Sequence, residues 1–259
     1  MTEKFERITW SVEDGLAIVA LNRPEKRNAL DARTVAELTE AVERAESDSG
    51  VRVVLLRGEG RDFCAGGDLE QLQRIATGGG PLDNLNDAAA LGNLFVRMRR
   101  ARMPVVAAVH GNTIAGGAGL ATAADLVVAS DDAVLAYPEI HLGFMPAMVM
   151  ALLRRAVGEK VAFDLVANGQ RIDASEAMRI GLVNRVFAKD RFAEGSRTFA
   201  RELASRSASA LQLIKRLLYG MDGLSFEEAI ARGAEVNVLA RATEDTREGV
   251  RRFLEKQKQ

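Results

Sequence analysis

A chain of 259 residues, 47% of them hydrophobic, is long enough for one large α/β domain, or for one domain with a helical appendage, and too apolar to be disordered. The formal net charge of −1 supplies no global basic field for nucleic acid or an anionic membrane, and one cysteine, Cys64, with two histidines excludes an internal disulfide and the usual structural zinc sets. The opening stretch MTEKFERITW lacks a signal-peptide core and no apolar run reaches the roughly 18 residues that span a bilayer, so a soluble, cytoplasmic protein is expected.

Ile8–Val12 and Leu16–Leu21 read as two strands joined at Glu13-Asp14-Gly15, because Asp-Gly between apolar runs signals a hairpin. A polar loop, Asn22 to Asn28, follows; Asp31 then caps a helix whose Val35, Leu38, Val42 and Ala45 keep helical spacing until Ser47–Gly50. Val53–Leu56 reads as a buried strand, and a glycine-containing loop over 58–67 carries Phe63-Cys64-Ala65-Gly66-Gly67-Asp68. Leu69–Ala76 has a helical pattern broken at Thr77-Gly78-Gly79-Gly80-Pro81, and the polar stretch to Asp87 is expected to be a mobile lid or pocket wall. Leu91, Leu94, Phe95 and Met98 share one face of a further helix.

Val105 to Val109 form an apolar run bounded by Pro104 and Gly111, which suits a strand covered on both faces. Gly116, Gly117 and Gly119 then bare the backbone where a helix starts, and a helix start presents unpaired N–H groups and a positive dipole end. Leu126–Ala129 and Val134–Ala136 read as two more strands, and Pro138 excludes an ordinary central strand for Tyr137-Pro138-Glu139-Ile140. Met148–Val157 and Val161–Ala167 are helical; Asp173 with Glu176 makes a capping box for a helix that stops at Gly181, and Val183–Phe187 reads as a last strand. Helices over Phe192–Leu203, Ala210–Leu218, Ser225–Leu239 and Thr246–Lys256 then run alone, with Ser225 and Glu228 as another capping box, so an α/β core is followed by a helical region from near residue 200.

Two strand-to-glycine turns, Ala65–Gly67 and Ala115–Gly117, would form an oxyanion hole if they lay side by side and aimed two backbone N–H groups at one oxygen; each is equally readable as a packed turn without a ligand. Cys64 reads as a small buried apolar residue, His110 and His141 as hydrogen-bonded structural histidines, with His141 alternatively placed, two residues from Glu139, to tune it, and Asp68 and Asp125 as loop or capping groups. The cluster Met145 to Met150 reads as core, with Met145 or Met148 within possible reach of a ligand.

Asn22-Arg23-Pro24 with Asn28-Ala29-Leu30, Phe63-Cys64-Ala65-Gly66-Gly67-Asp68-Leu69, and Ala115-Gly116-Gly117 before Ala124-Asp125 resemble the crotonase superfamily of enoyl-CoA hydratases and isomerases. The resemblance continues through Pro138-Glu139, Leu142-Gly143, Pro146, Ala174-Ser175-Glu176-Ala177, Gly181-Leu182-Val183 and Phe253-Leu254-Glu255-Lys256, and so covers essentially the whole chain. It implies an α/β, crotonase-like spiral of repeated ββα turns over 1–200 carrying an acyl-CoA site, and a C-terminal helical trimerisation region over 201–259, with homotrimers or homohexamers built as dimers of trimers. It implies an acyl-CoA thioester as substrate, with coenzyme A entering only as part of it, and no other cofactor, metal, nucleic-acid or membrane partner. Gly67 and Gly116 match the oxyanion donors, and Ala65 would line the adenine end of coenzyme A through its backbone. Lys26 and Arg27 match the phosphate side, and Phe253 and Lys256 match tail positions that cover coenzyme A bound to a neighbouring subunit; as charges, Lys26, Arg27 and Lys256 are equally readable as plain solvated groups.

The resemblance breaks at one catalytic position. The first of the two glutamates used by hydratases falls at Gly119, the second at Glu139, where an apolar neighbourhood would raise the carboxyl pKa toward proton-transfer use. Hydration needs a base for water and an acid for the α-carbon, whereas moving a double bond needs one carboxylate, so Glu139 alone favours isomerisation. A hydratase with a substitute second acid/base and a catalytically silent coenzyme A binder are the alternatives, and Gly119→Glu is expected to create some hydration while leaving isomerisation alone or impairing it sterically. A nicotinamide-dependent oxidoreductase is a weaker fit, because the G-x-G-x-x-G spacing is absent and the second glycine turn goes unexplained. The acyl group is not encoded by any motif, since Gln71–Asp87 and the residues near Met145 would build its pocket.

Overall fold

The computed structural model describes residues 5–78 and 80–257. The chain runs β1 (Ile8–Glu13), β2 (Leu16–Leu21), α1 (Ala32–Ser47), β3 (Val53–Gly58), α2 (Leu69–Gly78), α3 (Pro81–Arg100), β4 (Val105–Val109), β5 (Asn112–Ile114) and α4 (Gly116–Ala123). It continues through β6 (Leu126–Ser130), β7 (Val134–Ala136), α5 (Ala147–Val157), α6 (Glu159–Asn168), β8 (Ile172–Asp173), α7 (Ala174–Arg179) and β9 (Arg185–Phe187). The helices α8 (Lys189–Ala204), α9 (Ala208–Gly220), α10 (Phe226–Arg241) and α11 (Glu244–Lys256) follow.

The main sheet has the order β1-β2-β3-β4-β6-β9, antiparallel between β1 and β2 and parallel from β2 onward. Asp14 and Gly15 both take positive φ, 50° and 78°, as a tight hairpin between right-twisted strands requires. The continuous apolar runs of β2, β3 and β4 follow from cover on both faces. Leu16, Ile18, Val53, Leu55, Val106, Ala108 and Val128 pack with Ala200 and Ala204 of α8. The alternate residues Ala17, Val19, Leu21, Val54, Leu56, Val105 and Ala107 join the larger core with α1, α3 and α4. Each fully buried Val or Leu contributes about 1.5–3 kcal/mol, so this two-sided sheet is the rigid base of the molecule.

β5, β7 and β8 make a small second sheet, which the sequence reading did not include as a unit. Asn112-Thr113-Ile114 is too short and too polar to show alternation; it is held by its neighbours instead. Cys64 N–H donates to the Asn112 carbonyl (3.1 Å), Ile114 N–H donates to the Cys64 carbonyl (2.9 Å), and the buried Asp62 carboxylate accepts from Asn112 N (2.8 Å) and Nδ2 (2.6 Å).

Several local expectations shift. Residues 81–87, read as a mobile lid or pocket wall, form the first turns of α3, where Pro81 begins the helix and the Asp83 carboxylate accepts from Gly80 N–H at 2.9 Å; Gly79 lies outside the described residues. The last strand shortens to Arg185–Phe187, because Leu182 and Val183 N–H groups close the end of α7 on the Ala177 carbonyl. Asp173 caps α7 through Glu176 N (2.7 Å), but the Glu176 carboxylate turns to Arg179 (2.6 Å), so only half of that box forms. The box of Ser225 and Glu228 at α10 is complete.

Residue 200 lies inside α8, the helix that covers the sheet, and α9 is held to the same core by Lys215. No helix among the described residues is long and apolar enough to cross a membrane, and no group of three or more His, Cys, Asp or Glu among them could hold a metal ion.

Candidate active site

The site is built from loops buckled together by buried polar side chains. Arg27 and Asn28 both take left-handed backbone (φ 51° and 56°), which turns the Asn28 amide inward. Its Nδ2 donates to the carbonyls of Glu59 and Asp62, both at 2.8 Å, and its Oδ1 accepts from Arg23 N–H at 2.9 Å. The Arg23 guanidinium, only 9% exposed, pairs with Asp31 (3.2 Å) and Asp68 (3.1 Å) and donates to the Ala29 carbonyl (2.7 Å). Asp68 also caps α2 by accepting from Glu70 and Gln71 N–H groups, so charged partners and amides hold its carboxyl below the usual range against the opposing effect of burial. These bonds lock the 22–30 loop onto the 59–68 loop. Leu30 N–H donates to the Gly66 carbonyl (2.8 Å) and Asp68 N–H donates to the Leu30 carbonyl (2.9 Å), which brackets Gly67 and points its own N–H away from Leu30.

The two glycine turns meet. A Cβ placed on Gly66, whose φ is +102°, would stand 2.9 Å from Ala115 Cβ and 3.0 Å from the Ile114 carbonyl oxygen. One placed on Gly116 would stand 3.6 Å from Gly67 N, and one placed on Gly117 would strike Cys64, with Sγ at 2.8 Å. At Gly66 and Gly117 a side chain would have to push its neighbours aside, so glycine permits this approach. Ala115, ahead of α4, takes φ 51° and ψ −122°, a conformation costly for alanine, and is held there because its N–H donates to the Ala136 carbonyl (2.8 Å) and its carbonyl accepts from Gly119 N–H (2.9 Å). That peptide orientation aims the Gly116 N–H, at the positive end of α4, into the space beside Gly67. No sequence signal marks Ala115 for this backbone.

Glu139 sits in a single 3-10 turn, Pro138–Leu142, just past β7. The turn is tied to α4 twice: through the Ala115–Ala136 bond, and through the buried Tyr137 hydroxyl, 2.7 Å from Thr122 Oγ, which in turn donates to the Ala118 carbonyl. Glu139 is half-buried, its Oε2 is sealed from solvent with no hydrogen-bond partner among the described residues, and burial pushes its pKa up, opposed only by its own backbone amide. A carboxylate oxygen held in this way is ready to accept from a ligand or to carry a proton.

Beside Gly119 there is no space for a second carboxylate. A Cβ there would lie 2.5 Å from Val149 Cγ2 of α5 and 3.3 Å from Phe95 Cζ of α3. A glutamate at 119 must displace Val149, so the hydration expected of Gly119→Glu requires that side chain to give way. Neither Phe95 nor Val149 was readable as part of the site, since each sits on an ordinary apolar helix face.

The remaining candidates spread out. Lys26 reaches Glu70 at 2.7 Å on the surface, and Arg27 is exposed while its carbonyl accepts from Ala65 N–H at 3.0 Å, so backbone joins the two coenzyme A segments of the sequence reading. Phe253, 62% exposed, and Lys256 lie on α11, which packs against α9 and α10. Cys64 is buried and its thiol is pushed up to about 12 by burial, as befits an inert core residue. His110 bonds the Gly60 carbonyl at 3.0 Å beside Phe192, while His141 is exposed against Gly169. Asp125 is more than a cap: its carboxylate gathers Val105 N–H, Lys215 Nζ and the Tyr219 hydroxyl.

Parallel strands, a small second sheet and two abutting glycine turns define an α/β protein of the crotonase fold. Residues 11–259 match the model of the enoyl-CoA hydratase/isomerase family. A Thermus thermophilus protein provisionally named an enoyl-CoA hydratase is 42% identical over 246 residues, 95% of this chain and 97% of that protein. The 2,3-dehydroadipyl-CoA hydratase of Escherichia coli is 34% identical over 95% of this chain and 94% of its own length. The crystal structure of an enoyl-CoA hydratase from Polaromonas superposes with a TM-score of 0.92 at 31% identity, covering 96% of this chain and 97% of that one. The chain belongs to the enoyl-CoA hydratase/isomerase family of the crotonase superfamily.

Proposed function

We propose that the protein acts on an acyl-CoA thioester, moving a double bond through an enolate held by Gly67 and Gly116, with Glu139 as the one acid/base. The observation that supports this reading is the contact of the two glycine turns, which brings Gly67 N to 3.6 Å from the Cβ position of Gly116. The thioester oxygen accepts from both N–H groups, and negative charge developing on it is stabilised where α4 begins; losing one such donor typically costs about 10²–10³ in kcat. Glu139 removes a proton from C2 of a 3-enoyl thioester, the electron pair delocalises as a dienolate onto the thioester oxygen, and the same carboxyl returns a proton at C4. The double bond moves from C3=C4 to C2=C3 with no net gain or loss of atoms. A raised pKa suits a base that must also give the proton back.

In the same reading Ala65, Lys26 and Arg27 hold the adenine and phosphate end of coenzyme A. Phe253 and Lys256 reach the coenzyme A of a neighbouring subunit in a cytoplasmic homotrimer or dimer of trimers. A second reading, hydration with a substitute second acid/base, is favoured by the names of the relatives. One pair of assays decides between them: isomerisation of 3-hexenoyl-CoA beside hydration of crotonyl-CoA, each in wild type and Glu139→Gln. Isomerisation that Glu139→Gln abolishes, with hydration slow throughout, supports the single-carboxylate reading. Efficient hydration that survives Glu139→Gln places the catalytic groups elsewhere.

A further inference from the structure

Gly119 lies one turn along α4 from Gly116, and residues three apart share a helix face. The volume beside it is filled: Val149 Cγ2 and the Phe95 ring edge approach to 2.5 Å and 3.3 Å of where a Cβ would stand, and both side chains are buried, 3% exposed each. Val149 comes from α5 and Phe95 from α3, so two helices converge on this bare position of α4. The packing continues outward, with Met148 Cγ 3.4 Å from the Cβ position of Gly92 on α3. The nearest atoms to the Gly119 Cβ position all belong to the apolar side chains of Val149 and Phe95, whereas Glu139 supplies an oxygen unpartnered among the described residues on the turn after β7.

We propose that Val149, backed by Phe95, is a reaction-specificity determinant: it keeps both a second carboxylate and an ordered water away from the face of the acyl group next to α4. Adding water to a 2-enoyl thioester requires the water oxygen to bond C3 while a proton goes to C2, and the water must be held and deprotonated as it attacks. An apolar wall provides no such acceptor, and with Val149 Cγ2 2.5 Å from the Gly119 Cβ position there is no room for a water at that point. The enolate made by Glu139 then has carbon protonation as its outlet. This inference rests on the proposed function above, but it adds that the missing glutamate alone does not account for the chemistry: the space for it is closed.

The test is a set of four proteins: wild type, Gly119→Glu, Val149→Ala and the double variant, each assayed for crotonyl-CoA hydration and 3-hexenoyl-CoA isomerisation. Folding is checked by circular dichroism and thermal melting. Hydration is expected to rise about tenfold or more over wild type in the double variant and only several-fold, relative to isomerisation, in Val149→Ala, since a newly placed base is worth up to 10²–10⁴ when well aligned. The same double variant with Gln in place of Glu at position 119 should lack the gain. A folded double variant that hydrates no faster than wild type overturns the proposal. If the double variant does not fold, Val149→Ala alone decides, through the ratio of hydration to isomerisation: a several-fold increase supports the wall, and an unchanged ratio overturns it. Glu139→Gln in parallel keeps the two ideas separable, because isomerisation that persists in it removes the base assignment while the hydration ratios still judge the wall.

Discussion

Glu139 carries a cost that its position imposes. Burial raises its pKa above the unfolded value, so between those two values the folded chain binds more protons than the unfolded one. Stability therefore falls as pH rises through that window, and above it the full cost persists. Glu139→Gln should thus melt higher than wild type at neutral pH, with the difference vanishing once pH drops below the ordinary carboxylate range. The same variant should lose about 10² or more in kcat with little change in acyl-CoA binding, since the amide keeps shape but cannot take a proton. A melting temperature equal to wild type across that pH range would show that the carboxyl is not desolvated. Gly66→Ala tests the other half of the site. Its Cβ would meet Ala115 Cβ at 2.9 Å in a backbone of φ +102°, so the turns must part or strain. A loss of about 1–3 kcal/mol in chemical denaturation is expected, together with weakened activity from separated donors. Wild-type stability in Gly66→Ala would mean that the turns do not press together as described.

At the scale of elements, α9 is held by a buried cation. Lys215, 6% exposed, donates to the carbonyls of Met98 (2.7 Å) and Met103 (3.0 Å) and to Asp125 (2.7 Å), while Tyr219, one turn on, donates to the other oxygen of Asp125 (2.8 Å). Arg99 stacks over the Tyr219 ring at 3.8 Å. Burial lowers the Lys215 pKa, with Asp125 opposing, so the pair is expensive to break and of little net gain beside an apolar alternative. Lys215→Met should cost about 3–5 kcal/mol by leaving Asp125 and two carbonyls unmatched. Replacing Asp125 by Asn in the same chain should recover part of that loss, and equilibrium urea unfolding measures both; a Lys215→Met chain as stable as wild type removes the tether. None of this was legible from residue order, because an Asp after a helix and a Lys in a helical run each have ordinary local readings. The hairpin, α1 and the α10 capping box were legible, since Asp14-Gly15, Asp31 and the Ser225–Glu228 spacing act through neighbours in sequence.

For the molecule as a whole, ordered motifs revealed the family, while the tertiary meetings stayed hidden. That Gly67 and Gly116 face one another depends on Asn28, Arg23 and Asp62 drawing separate loops together, and that Gly119 is walled depends on α3 and α5. Phe226, Ile230, Val238, Leu239, Phe253 and Leu254 stand 52–76% exposed on α10 and α11 of the single chain. In the proposed assembly that surface is covered, and Phe253 and Lys256 come to rest on a neighbour's coenzyme A. α11 has no buried residue within its own chain, so removing residues 252–259 should leave the core and the Lys215 anchor intact. Loss of an aromatic contact together with a charge is worth a kcal/mol or more apiece, so coenzyme A affinity should fall about tenfold or more by calorimetry while melting changes little. Sedimentation of the same samples should give a mass of three or six chains. A truncated protein that folds, assembles and still binds coenzyme A with wild-type affinity would show that the tail plays no part in the site.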